Sequence, residues 1–141
     1  MKRKFSNSWK ASVQPRKQRK YIANAPLNKK QKFMSSSLST VLRKKYARRS
    51  FPIRVGDSVK IMRGEFKGKT GKVSNKNVSK GKITVEGIQN TKKDGTKINV
   101  LFDTSNVQIN ELNLDDKKRL EAINRTQNKK AEAIKKSQEK K

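Results

Sequence analysis

The sequence predicts a mainly β protein: a small five-stranded barrel, a short helix before it, a basic extended arm at the amino end and a helical or disordered charged tail. Three observations carry this reading. Short runs between residues 55 and 114 alternate apolar and polar positions, glycine-rich turns separate those runs, and most of the charge lies outside them. Lys and Arg number 38 against 11 Asp and Glu, and only 30% of the residues are hydrophobic. A core spanning all 141 residues cannot be built from that composition. The chain therefore divides into an arm over 1–36, a helix and linker over 37–54, the barrel over 55–114 and a tail over 115–141.

The arm comes first. Residues 1–54 hold 17 Lys or Arg and no acid, which suits contact with phosphates because a carboxylate there would be repelled. Arg16-Lys17-Gln18-Arg19-Lys20 and Lys29-Lys30-Gln31-Lys32 are basic clusters too short to fold alone. Phe5, Trp9, Tyr21 and Phe33 lie among them, as residues that stack on splayed bases or pack against a neighbouring protein. Pro15 and Pro26 argue against one continuous helix.

Leu38, Val41, Leu42 and Tyr46 share one face of a short helix, with Ser37 as N-cap and Arg43, Lys44 and Lys45 in the last turn. The apolar face is expected on the barrel, with Arg43, Lys44, Arg48 and Arg49 turned outward. Pro52 biases Phe51 toward an extended linker.

The barrel opens at Val55–Val73. Val59 and Ile61 alternate with Ser58, Lys60 and Met62; Gly64, Gly68 and Gly71 then interrupt the pattern. Those glycines allow positive φ or close approach to another chain, and Arg63, Lys67, Lys69 and Lys72 are interleaved with them. Ile83 and Val85, then Ile98, Val100 and Phe102, then Val107 and Ile109, read as further strands. Lys93-Asp94-Gly95-Thr96 is a hairpin turn with Gly95 at the positive-φ position, and Asn75–Gly81 reads as a polar loop. The expected core is Val59, Ile61, Val73, Ile83, Val85, Val100, Phe102, Val107 and Ile109. In the tail, Asn113 is the expected helix cap, Asp115 and Asp116 fill the first turn, and Leu120 and Ile123 make an apolar face. Only Ala131, Ala133 and Ile134 follow them, so order is expected only against RNA or a partner.

The spacing of Gly56, Asp57, Val59, Ile61, Gly64, Lys67, Gly68, Gly71 and Val73 resembles the KOW motif, which implies an SH3-like barrel as found in ribosomal proteins and transcription elongation factors. Met34-Ser35, Leu38-Ser39, Leu42-Arg43, Lys45-Tyr46, Arg49-Ser50 and Pro52-Ile53-Arg54 precede it. With Met62-Arg63-Gly64, Ser105-Asn106-Val107 and Leu112-Asn113-Leu114, that run resembles the universal twenty-fourth family of large-subunit ribosomal proteins. The likeness is to its archaeal and eukaryotic branch, called twenty-six in eukaryotes. Leu101-Phe102-Asp103-Thr104 departs from the Ile-His-Pro-like step common in that family.

The resemblance implies a structural protein that binds the 5′ part of the large ribosomal RNA beside the peptide exit tunnel and supports assembly. The partners implied are that RNA, neighbouring large-subunit proteins and targeting factors at the tunnel exit, on a cytoplasmic ribosome. The expected RNA contacts are Arg16, Lys17, Arg19, Lys20, Lys29, Lys30 and Lys32 in the arm, then Arg43, Lys44, Arg48, Arg49 and Arg54 around the helix. Arg63, Gly64, Lys67, Gly68, Lys69, Gly71 and Lys72 supply them at the glycine turn. The alternative is a transcription-elongation or RNA-chaperone KOW module, though the separate polymerase-binding domain of elongation factors is replaced here by the arm.

Cysteine and histidine are both absent, which removes disulfides, zinc–thiolate sites and the commonest general base. Asp57, Glu65, Glu86, Asp94 and Asp103 are scattered singly, unlike a two-metal site. Asp57 reads as a turn residue at the strand entrance. No enzyme activity, cofactor, metal, membrane contact or small-molecule substrate is expected.

Overall fold

The computed structural model describes residues 4–125. A 3-10 turn over Asn7–Ala11 leads into helix α1 (Pro15–Asn24) and helix α2 (Leu27–Phe33). The two prolines do divide the arm, but into helices rather than extended chain. Pro15 sits in the first turn of α1, where its missing N–H costs nothing, and Pro26 is the cap before α2. The aromatics explain why these basic helices hold together. Phe5 stacks on Tyr21 at 5.3 Å between ring centroids and Tyr21 meets Phe33 at 5.6 Å, so Tyr21 is buried. The Gln18 amide donates to the carbonyls of Trp9, Lys10 and Ser12, clamping the 3-10 turn to α1.

Strand β1 (Ser35–Leu38) follows, then helix α3 (Thr40–Tyr46) and strand β2 (Ser50–Pro52). The expected helix thus starts later than the apolar spacing suggested. Its cap is Ser39, whose hydroxyl accepts from the Leu42 N–H, and not Ser37, which lies in β1. Leu38 is buried from the strand and Val41 is exposed, so only Leu42 and Tyr46 of the four pack inward from α3. Ala47 closes α3 in the left-handed region at φ 52°.

The remaining strands are β3 (Ser58–Ile61), β4 (Thr70–Asn77), β5 (Lys82–Val85), β6 (Gln89–Thr91), β7 (Lys97–Asn99), β8 (Phe102–Asp103) and β9 (Val107–Glu111). Of the nine strands among the described residues, seven form one sheet in the order β2-β1-β9-β3-β4-β5-β8, and β6 and β7 form a second. β9 pairs parallel with β1 and antiparallel with β3, with Val59 opposite Ile109. Register shifts at Ser58/Val59 and Val73/Asn75 mark bulges, which bend and twist the strands. The sheet curls until the Ser36 hydroxyl, on β1, donates to the Thr104 carbonyl just past β8 at 2.6 Å. Among the described residues no ladder joins β8 to β2.

The result is mainly β and barrel-like, with seven strands in the curled sheet where five were expected. Serine-rich β1 and proline-bearing β2 account for the difference. The expected strand through Ile98, Val100 and Phe102 is split: β7 pairs with β6 in a separate hairpin, and only Phe102 joins the main sheet. Ile98 is therefore exposed and Val100 half-buried. The hairpin turn does form at Gly95, with φ 83°, and the Asp94 carboxylate accepts from the Thr96 N–H and hydroxyl. β4 runs on to Asn77, into the segment expected to be a loop.

Val59, Ile61, Val73, Ile83, Val85, Phe102, Val107 and Ile109 are buried in one core. Met34, Leu38, Tyr46, Phe51, Ile53, Ile88 and Ile123 join them from outside the expected set. Full burial of each such aliphatic side chain is worth about 1.5–3 kcal/mol relative to exposure. Ile123 belongs to helix α4 (residues 117–125), which docks on the barrel-like body within the chain itself. The cap of α4 is Asp116, accepting from the Lys118 N–H at 2.8 Å, while Asn113 makes the preceding turn by accepting from the Asp115 N–H. Leu120 is exposed. Ala131, Ala133 and Ile134 lie outside the described residues.

Candidate nucleic-acid interface

The turn between β3 and β4 is built by backbone hydrogen bonds. Gly68 N–H donates to the Ile61 carbonyl at 2.8 Å, and Ile61 N–H to that of Lys69 at 2.9 Å. Gly64 and Gly68 hold φ of 88° and 89°, and a Cβ at either would meet open space. These two positions need glycine for its backbone, as a β-carbon there is strained. Gly71 is different. It lies in β4 opposite Val59, and a Cβ would come within 2.7 Å of Val85 Cγ1 and 2.8 Å of the Glu86 carbonyl oxygen. Its constraint is packing inside the sheet.

Around this turn Arg63, Lys67 and Lys69 are exposed. Phe66 anchors the loop by meeting Phe102 edge-on at 6.0 Å, and Lys69 Nζ lies 5.0 Å above the Phe66 ring. Lys72 is exposed on β4 beside Ser58, and Lys60 is exposed on β3 beside Thr70. Strand alternation sends Val59 and Ile61 inward, so Lys60 and Lys72 share the outer face next to the cationic turn. Lys60 was not among the expected contacts, although its place between Val59 and Ile61 was the signal for it.

The arm presents Arg16, Lys17, Arg19 and Lys20 on the exposed surface of α1, with Lys20 Nζ 5.1 Å over the Trp9 ring. On α2, Lys29 and Lys30 are half-buried and Lys32 is exposed. Arg43 and Lys44 are exposed on α3, and Arg43 Nε donates to the Leu38 carbonyl at 2.7 Å. Arg48 lies half-buried over the Phe51 ring at 5.0 Å, and Arg49 is exposed. Arg54 pairs with Asp116.

A second cation went unnoticed in the sequence. Lys76, on β4, is half-buried and donates to the Ile53 carbonyl at 3.1 Å. Its ammonium is held below the ordinary lysine range, first by burial and then by the Arg54 and Arg119 charges, with Asp57 opposing them. Nothing in the alternation of β4 distinguishes it from Lys72, because its setting comes from α2, β2 and α4.

Asp57 is not a mere turn residue. It is fully buried, and Arg119 Nη1 and Nη2 reach its two carboxylate oxygens at 2.6 and 2.7 Å. It also accepts the backbone N–H groups of Arg54 and Asn113. Among the described residues no group of His, Cys, Asp and Glu could hold a metal ion, and no helix is long and apolar enough to cross a membrane. The arrangement offers dispersed, exposed cations on a body with one shared core, which suits an anionic polymer.

The chain is similar to proteins named large ribosomal subunit protein uL24. That of Methanosarcina barkeri is 47% identical over 111 residues, covering 79% of this chain and 96% of the relative. That of Methanosphaera stadtmanae is 45% identical over 111 residues, covering 79% and 95%. The family model that describes the eukaryotic L26 ribosomal proteins and their archaeal counterparts matches residues 12–126, from the arm through α4. The chain thus belongs to the uL24 family of large-subunit ribosomal proteins.

Proposed function

We propose that the chain is a structural, non-enzymatic constituent of the large subunit that binds ribosomal RNA, in its 5′ region and near the peptide exit tunnel, and supports assembly in the cytoplasm. The curled sheet is read as an SH3-like KOW barrel of β3, β4, β5, β8 and β9, with β1 and β2 added at one side. In this reading 1–36 is an RNA-threading arm, 37–54 a docked linker, 55–114 the barrel and 115–141 the tail. Neighbouring large-subunit proteins and targeting factors at the tunnel exit are the further partners.

The observation that carries the reading is the acid-free stretch over residues 1–54, whose described cations stand mostly exposed on helices and the segments that join the elements. Such a surface binds by counterion release and fixes register through phosphates. A-form RNA hides base edges in its narrow major groove, so shape and sugar–phosphate geometry are what it reads. Footprinting the full chain on total cellular RNA tests this. Protection confined to the 5′ part of large-subunit RNA is expected; recovery of RNA polymerase in place of ribosomal RNA would favour the elongation-factor alternative.

A further inference from the structure

A cavity of about 270 Å³ opens between α2 and β2, lined by Lys32, Arg54 and Lys76 together with Asn28 and Gln31. The charges around it do not balance. Arg119 is matched by Asp57 and Arg54 by Asp116, whereas among the described residues no carboxylate is within ion-pair distance of Lys32 or Lys76. Lys76 is half-buried and donates one of its three protons to the Ile53 carbonyl, leaving two without a protein acceptor among the contacts described. An ammonium partly withdrawn from water and crowded by like charge is disfavoured unless an anion neutralises it.

We propose that this cavity is a phosphate-binding site that takes a backbone phosphodiester of the bound RNA, with Lys76 and Lys32 as its charged donors and Arg54 at its rim. The proposal rests on the RNA-binding reading above and gives it a discrete seat away from the glycine turn. The volume admits a phosphate with its ribose, and Asn28 and Gln31 in the lining are residue types able to donate beside the cations. Burial and the neighbouring arginines hold Lys76 below its usual range, and an arriving anion reverses that. A carboxylate from a neighbouring protein would satisfy the same charge. The phosphate is favoured because the chain carries +27 overall and its family is built into a ribonucleoprotein.

The test titrates full-length parent, Lys76→Met and Lys32→Gln against a large-subunit RNA fragment protected by the parent, over a salt series, with a thermal melt of each. Lys76→Met is expected to bind about tenfold more weakly and to reduce the log K against log salt slope by about one. Its melting temperature should hold or rise, since the substitution removes a repelled, desolvated charge; a merely structural lysine would lower it. Lys32→Gln, at an exposed position where folding is not at risk, should weaken binding in the same direction. Unchanged affinity and slope in both variants, with the parent still bound, would overturn the pocket and leave the RNA reading intact. Failure of the parent itself to bind large-subunit RNA would remove both. Zero-length crosslinking of Lys76 to a neighbouring protein's carboxylate in assembled subunits would also overturn the phosphate assignment.

Discussion

Arg119 grips Asp57 across 62 residues of chain, through two hydrogen bonds in a site where both side chains are almost wholly buried. The guanidinium also donates to the Asn113 and Pro52 carbonyls and lies 5.3 Å over the Phe51 ring. One ion pair therefore ties α4, β2 and the entrance to β3 together. Removing one partner of such a pair leaves the other charged and dry, which costs about 3–5 kcal/mol. Arg119→Met should destabilise the fold by that order, and Asp57→Leu with Arg119→Met together by less. Denaturant melts of the parent, both single variants and the double variant check this; a double-variant loss equal to the sum of the two single losses would show that the pair is not coupled.

At the glycine turn, two substitutions should fail for different reasons. Gly71→Val drives a β-branched side chain into Val85 and the Glu86 carbonyl, and overpacking of that kind costs about 1–3 kcal/mol. Gly68→Ala meets no atom but forces a β-carbon onto φ 89°, costing on the order of 1 kcal/mol. Lys69→Gln should leave the melting temperature almost unmoved while weakening RNA binding modestly. Thermal melts and RNA titrations at matched salt separate the three. A Gly71→Val protein that melts like the parent would contradict the packing role.

Changing Arg16, Lys17, Arg19 and Lys20 together to Gln should flatten the salt dependence of RNA binding, by about three in the log–log slope. All four are exposed on α1, so the aromatic cluster beneath and the fold should persist. Circular dichroism and binding over a salt series give the two readouts. An unchanged slope would place the RNA-facing surface elsewhere.

Lys76 makes the stability depend on alkaline pH. Its folded-state pKa lies below the 10.5 of the free side chain, so the unfolded chain binds the proton more tightly. The folded state is accordingly penalised below the folded pKa, and the penalty is relieved as pH climbs from that value toward 10.5. Stability curves of parent and Lys76→Met, compared from neutral pH upward, should converge over that window. A difference that does not change with pH would mean that Lys76 is not desolvated.

The strands of the curled sheet were legible because Val59, Ile61, Ile83 and Ile109 follow the two-residue period of a one-sided sheet. The arm was not. Lysine-rich α1 and α2 have no continuous apolar face, and what orders them is a ring cluster assembled from Phe5, Tyr21 and Phe33, far apart in sequence. Leu38 and Val41 satisfied a helical spacing by coincidence, and a serine-rich strand such as β1 leaves no local signal. For Asp57 and Lys76 the decisive neighbours arrive from other elements, so a single sequence shows the charges and not their surroundings. Exposed cations such as Arg16 or Lys67 are the reverse case, since their proposed role in RNA binding rests on composition more than on fold.

The position of β9 has a consequence for the order in which the molecule can be made. It lies between β1 and β3, and among the described residues β1 otherwise pairs only with β2. A chain emerging from its amino end can form the β1–β2 pair and the β3–β4–β5 portion early, but no strand pairing joins them until residues 107–111 appear. Arg119 and Ile123 come later still. Vectorial synthesis therefore releases two unfinished pieces, each with an open strand edge, and the later arrival of β9 unites them. A nascent chain stalled before Val107 should be far more sensitive to protease than one stalled after Ile123 has emerged.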